Sequence, residues 1–113
     1  MKRYCLTLDL KNDPNLIQEY EAHHQQIWPE IEASLRSVGI ENLEIYRIDN
    51  RMFMIMETID SFSFAHKEDA DGANIRVQEW ENLMWKYQQP LPTAKPGEKW
   101  ILMKKIFDLN GNE

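Results

Sequence analysis

Residues 3–10 alternate, with Tyr4, Leu6, Leu8 and Leu10 on one side and Cys5, Thr7 and Asp9 on the other, the period of a strand buried chiefly on one face. Asp13-Pro14 then opens a helix, because an aspartate accepts from free backbone amides at the N-cap and proline needs no donor at the first helical position. The helical pattern runs to about Val38, where Gly39 supplies the stop. Pro29 interrupts it beside Trp28, so a kink or a second short helix is expected there. Leu43 to Ile48 and Met52 to Ile59 are β-rich runs joined through Asp49-Asn50-Arg51, the pattern of an antiparallel hairpin.

Ser61 to Lys67 begins a short helix, and the acidic stretch from Glu68 to Ala73, with Gly72 near its end, reads as a loop. Asn74 caps the next helix, in which Val77, Trp80, Met84 and Tyr87 recur at spacings of three and four and which Pro90 and Pro92 end. After a proline-rich loop, Trp100 to Phe107 is a last apolar run suited to a central or dimer-covered strand, and the tail from Asn110 to Glu113 is expected to be loose. The order β-α-β-β-α-β predicts an α+β fold, a ferredoxin-like sandwich with two helices on one face of an antiparallel sheet. The other face needs a cover, and a second copy of the sheet supplies one, which predicts a homodimer built as a dimeric α+β barrel. With no internal repeat or linker, residues 1–113 form one domain.

Charge and composition narrow the partners. The net charge of -6, from 19 acidic and 13 basic side chains, argues against nucleic acid, whose phosphates need clustered Lys and Arg. A single cysteine, Cys5, rules out an internal disulfide and a multi-cysteine metal cage. Asp9 and Lys11 cut the apolar run after Met1-Lys2-Arg3 short of a signal peptide, and no stretch approaches a membrane span, so the expectation is a cytoplasmic protein with no membrane partner. Neither His-Glu-x-x-His spacing, paired cysteines, phosphate-cradling glycine loops nor a dinucleotide fingerprint occurs, so no metal and no cofactor are expected.

Candidate chemistry sits at the end of the first helix. Tyr20, His24 and Trp28 stand four residues apart and share one face, two aromatics flanking an imidazole. Imidazole both gives and takes a proton near neutral pH, so His24 is the candidate acid/base, against the plainer reading of a histidine hydrogen-bonded at an interface. His23 lies about 100° further round the helix and reads as a surface residue. Four tryptophans, Trp28, Trp80, Trp85 and Trp100, are many for this length, and an indole face is a platform for the C–H face of a sugar. Core packing explains any one of them as well, and Trp100 is assigned to the core or the dimer interface. Met52, Met54 and Met56 alternate along a strand as soft core filling.

The run Glu19-Tyr20-x-x-x-His24-x-x-Ile27-Trp28-Pro29-Glu30, followed by Gly39, Asn42 and Ile45-Tyr46, resembles the L-rhamnose mutarotase family, over nearly the whole chain through Lys105-Ile106-Phe107. That resemblance implies small dimeric α+β barrels that exchange the anomers of 6-deoxy-hexoses, with Tyr20 lining the sugar site and His24 as proton donor. Leu43 stands where the rhamnose enzymes place a second tyrosine. Their adjacent tryptophans map here onto Trp80-Glu81 or onto Met84-Trp85, two registers that both lose one indole. The stretch from Val77 to Pro92 and Gly97-Glu98-Lys99-Trp100 are similar to the branch assigned to L-fucose. The expectation is therefore an isomerase of a 6-deoxy-L-hexose, L-fucose before L-rhamnose, with His24 catalytic and Tyr20, Trp28, Leu43, Trp80 and Trp85 at the sugar. The competing readings are a sugar-binding module and a small α+β barrel monooxygenase, because fold does not fix function.

Overall fold

In the computed structural model, which describes residues 1–111, the first alternating run forms β1 (Lys2–Leu10) and the rest of the molecule is arranged around it. The chain continues as α1 (Pro14–Gln25), α2 (Pro29–Ser37), β2 (Ile40–Ile48), β3 (Arg51–Thr58), α3 (Phe64–Gly72), α4 (Ile75–Trp85), β4 (Gln88–Gln89) and β5 (Ile101–Leu102). The end of the tail expected to be loose, at 112–113, lies outside the described residues.

Local chemistry sets the helix ends. The Asp13 carboxylate accepts from the amides of Asn15 at 2.9 Å and Leu16 at 3.2 Å, and Asn74 does the same for Arg76 and Val77. Pro29 produces a second helix and not a kink: α1 ends at Gln25 and α2 starts on the proline, with Trp28 as its N-cap. The acidic segment 68–73, read from sequence as a loop, is helical through Gly72. Ser63 caps that helix, a Lys67–Asp71 ion pair spans one turn at 2.5 Å, and Ala70 packs on the core.

The strands run in the order β2-β3-β1-β4, all antiparallel, with β5 also paired to β1. An Asp9–Arg51 fork (2.7 and 3.0 Å) joins two residues that face each other across β1 and β3, and so fixes their register. The β2–β3 turn is tied to β1 as well, since Leu10 N–H donates to the Asn50 carbonyl at 2.7 Å and Asn50 Nδ2 donates to the Leu10 carbonyl at 3.0 Å.

Two further expectations need correction. The sheet is open, not a barrel: β2 forms one edge, and two-residue strands β4 and β5 share the other side of β1 without closing onto β2. The fold is α+β with a single sheet. The run Trp100–Phe107 is not a central strand either, because only Ile101–Leu102 pairs, beside Leu6 and Thr7 of β1. Met103 N–H adds one bond to the Cys5 carbonyl at 2.7 Å, after which Ile106 and Phe107 stand 90% and 75% exposed. Lys104-Lys105 breaks the apolar pattern there, and these residues have no layer of their own chain to pack on.

On the covered face of the sheet Leu8, Leu10 and Met52 pack with Tyr20, Ile31, Val77, Trp80 and Met84 from the helices, while Leu6 and Met56 form a second cluster with Val38, Ile40 and Phe62. Behind α2, Gly39 has φ +96°, and a Cβ there would lie 2.6 Å from Ile59 Cγ1. Gly39→Ala is expected to destabilise the fold by about 1–3 kcal/mol through backbone strain and this collision. Urea denaturation measures it, and a midpoint unchanged from wild type would contradict the geometry.

Candidate active site

A cavity of about 890 Å³ opens between the helices and the covered face of the sheet, within the roughly 300–1,000 Å³ range of small-molecule sites. Tyr20 and His24 of α1 form one wall, Leu43 of β2 and Met54 and Met56 of β3 another, and Trp80 and Met84 of α4 a third. Gln88 of β4, Lys99 and Trp100 complete it.

One turn of helix separates Tyr20 from His24, so their rings stack with centroids 4.4 Å apart. His24 Nδ1 lies 2.9 Å from the Tyr20 carbonyl oxygen. A carbonyl only accepts, so Nδ1 carries the proton and, in the neutral ring, Nε2 is left with the lone pair. Trp80 meets the imidazole edge-on at 5.5 Å. Burial pushes the His24 pKa below its ordinary value of 6.5, the bond to the Tyr20 carbonyl pulls it partly back, and the charge of His23 adds to the lowering. The ring is therefore neutral at pH 7, a base with one nitrogen held and the other unoccupied.

The Tyr20 hydroxyl is buried and accepts from Gln88 Nε2 at 3.4 Å. Desolvation raises its pKa, against a smaller lowering by Gln88, so the phenol keeps its proton and serves as a hydrogen-bonding group. Lys99 Nζ donates to the Glu81 carbonyl at 3.1 Å and sits 4.6 Å over the ring of Trp85, with burial lowering its pKa and the Glu81 charge raising it.

The six residues singled out from sequence divide. Tyr20, His24, Leu43 and Trp80 line the cavity. Trp28 is not part of its wall: the indole packs edge-on behind Trp80 at 5.1 Å, and the Arg76 guanidinium covers it at 4.1 Å. Trp85 is likewise outside the wall, turned to Lys99, so of the two indoles on α4 it is Trp80 that faces the cavity. His23, read as a surface residue, is half-buried. Tyr87 O–H donates to Glu19 at 3.0 Å, so its oxygen accepts from His23 Nε2–H at 3.1 Å. Gln88, Lys99, Met54 and Met56 are wall residues that sequence reasoning passed over or gave to the core. Among the described residues, no three His, Cys, Asp or Glu side chains cluster as metal ligands, and no helix is long and apolar enough to cross a membrane.

Comparison with known proteins places the same stretch of chain in context. The family profile described as L-rhamnose mutarotase matches residues 3–109. An L-fucose mutarotase of Xanthomonas campestris is 43% identical over 112 residues, 97% of this chain and 90% of that protein. An L-rhamnose mutarotase of Klebsiella pneumoniae is 30% identical over 86% of this chain and 89% of its own. In three dimensions the chain is similar to the crystal structure of an L-rhamnose mutarotase from Formosa agariphila, with a TM-score of 0.71 at 21% identity, covering 96% of this chain and 99% of that one.

The partly buried imidazole generates a prediction. An unfolded chain takes up a proton at the ordinary value of 6.5 while folded His24 resists it, so the folded state loses stability as pH falls from 6.5 through the lower native pKa, and keeps it in full above 6.5. NMR titration of the imidazole Cε1–H is expected to give His24 a midpoint below 6.5. A midpoint at or above that value would contradict the burial described here.

Proposed function

Because the chain belongs to the L-rhamnose mutarotase family, a family of isomerases, we propose that it exchanges the α and β anomers of a 6-deoxy-L-hexose, L-fucose in preference to L-rhamnose, with His24 as the proton shuttle. The observation that carries the role of His24 is its fixed tautomer: Nδ1 is held by the Tyr20 carbonyl, and Nε2 is free to work beside Tyr20 and Trp80.

Anomer exchange moves one proton from the anomeric hydroxyl to the ring oxygen while the bond between C1 and that oxygen breaks. His24 Nε2 takes the proton from O1–H as the electron pair of the breaking bond collapses onto the ring oxygen, and the imidazolium so formed delivers the proton there. The product is the open hydroxy-aldehyde. Rotation about C1–C2 and the reverse steps close the ring on the other face, with no net change in atoms or charge. The lowered pKa suits this traffic, since the imidazolium is a stronger acid than an ordinary histidine and gives its proton up readily. Tyr20, whose raised pKa keeps it protonated, holds a sugar oxygen without ionising. Trp80 offers an apolar ring to the C–H face of the sugar.

The preference for L-fucose is supported by the 43% identity to an L-fucose mutarotase and by Leu43, an apolar wall residue where a second tyrosine would add a hydrogen-bonding group. L-Fucose and L-rhamnose differ in configuration at C2 and C4, so a pocket with one hydroxyl contact fewer is tuned to a different arrangement.

The protein is read as a homodimer. The sheet face turned away from the helices carries Cys5, Phe53, Ile55, Tyr46 and Ile48, the last two 55% and 73% exposed, and none of the five joins the core. An apolar patch of this kind on a soluble chain marks an association surface. Light scattering is expected to give twice the chain mass of 13.5 kDa, and Phe53→Asp to shift the protein toward the single-chain mass. A wild-type monomer would overturn the dimer.

Saturation-transfer NMR between the anomeric protons of L-fucose tests the activity. Wild type is expected to accelerate exchange more for L-fucose than for L-rhamnose, and His24→Ala to lose about 10²- to 10⁴-fold with unchanged circular dichroism. A His24→Ala protein with wild-type rates would remove the proposed shuttle, and binding of L-fucose without faster exchange would favour a sugar-binding module.

A further inference from the structure

Gln88 is a buried polar group of the cavity wall that the proposed mechanism leaves unused. It comes from a two-residue strand, β4, where it faces Leu10 of β1 across the sheet, and its side chain lines the cavity while only 4% of the residue is exposed. One end of its amide, Nε2, donates to the Tyr20 hydroxyl at 3.4 Å. The other end, Oε1, is buried without any hydrogen-bond partner, alone among the buried side-chain polar atoms of the described residues.

A primary amide has an acceptor end and a donor end, so whichever of them meets Tyr20, the other stays unpaired. Such a group, buried with no partner, bears the full desolvation cost of a polar atom unless something supplies the missing bond. An apolar side chain at this position would avoid that cost, as Met54, Met56 and Met84 do elsewhere in the cavity wall. Gln88 therefore has a use that its own fold does not satisfy. Its bond to Tyr20 places the unpaired end beside the proposed sugar-contacting hydroxyl.

We infer that Gln88 is a substrate-binding residue, its amide spanning from the Tyr20 hydroxyl to one hydroxyl of the sugar. This assignment rests on the sugar site proposed above and adds to it a contact that discriminates hydroxyl position. With Nε2 donating to the Tyr20 oxygen, the phenolic proton is turned away from Gln88 and is available to a sugar oxygen. The free Oε1 accepts the proton of a hydroxyl on the sugar. A sugar with that hydroxyl absent or inverted leaves the amide oxygen unpaired. A site built to hydrogen-bond a hydroxyl rejects the analogue lacking it, because the buried group goes unsatisfied.

The test compares L-fucose with its 2-deoxy, 3-deoxy and 4-deoxy analogues on wild type and Gln88→Met, an unbranched apolar side chain of similar length. The expected result is a fall in kcat/KM of about tenfold or more for L-fucose and a near-equal rate of the two proteins for one analogue, the one that lacks the recognised hydroxyl. An equal loss on all four sugars would mean a structural role only and overturn the inference, as would wild-type activity of Gln88→Met on L-fucose. A second measurement does not depend on the variant folding. In the wild-type protein, the side-chain amide resonances of Gln88 shift on saturation with L-fucose and stay in place with that same analogue; resonances unmoved by L-fucose overturn the assignment. A wild-type protein that accelerates none of the four sugars, with the Gln88 resonances also unmoved, would remove the sugar site itself together with this contact.

Discussion

Strand β1 is hydrogen-bonded along both edges, to β3 on one side and to β4 and β5 on the other, and the rest of the molecule depends on that double pairing. Its alternation puts Leu6, Leu8 and Leu10 under the helices, where Leu8 and Leu10 are almost completely buried. The Asp9–Arg51 fork, one residue from Leu10, holds the register in which those side chains face inward. A slip of one residue would turn every one of them to the opposite face. The site hangs on the same strand, because β4 brings Gln88 opposite Leu10 and the pairing of β5 at Leu6 and Thr7 brings Trp100 and Lys99 back to the cavity wall.

Around that frame three polar groups of the cavity wall are held by named partners. The Tyr20 carbonyl fixes the His24 tautomer, the Tyr20 hydroxyl engages Gln88, and Lys99 is pinned by the Glu81 carbonyl over Trp85. The aromatic walls are held too, since Arg76 covers Trp28, which in turn packs against Trp80. Burial does the electrostatic work: it lowers the pKa of His24 and raises that of Tyr20, so both are neutral near pH 7. A neutral base beside a neutral hydroxyl suits a reaction that moves a proton between two oxygens and leaves no net charge.

Much of this could be read from the chain because the relevant signals are local. The cap at Asp13, the proline at 29 and the four-residue spacing of Tyr20 and His24 each act within a turn of helix, and the alternation in residues 3–10 acts within a strand. What escaped the reading depends on distant partners. Trp28 shares a stripe with His24 on paper, yet the break between α1 and α2 turns it behind Trp80. Gln88 sits in a polar pair between Tyr87 and Pro90, with no periodicity to mark it, and gains its meaning from β1 and Tyr20. The acidic run 68–73 has loop composition, but Ala70 on the core and the Lys67–Asp71 pair keep it helical. The apolar run ending at Phe107 has strand composition, but β1 offers it only a short edge.

The central claim is that the sugar reacts at the free nitrogen of His24. The most direct test is the ¹⁵N chemical shift of His24 Nε2 in histidine-labelled protein, followed as L-fucose is added at neutral pH. The account predicts an Nε2 signal of an unprotonated nitrogen in the free protein, moving on saturation with the sugar as it accepts a hydroxyl proton, while Nδ1 keeps its proton and His66, on α3 and outside the cavity wall, does not respond. A protonated Nε2 in the free protein, or an Nε2 signal indifferent to saturating L-fucose, would contradict it.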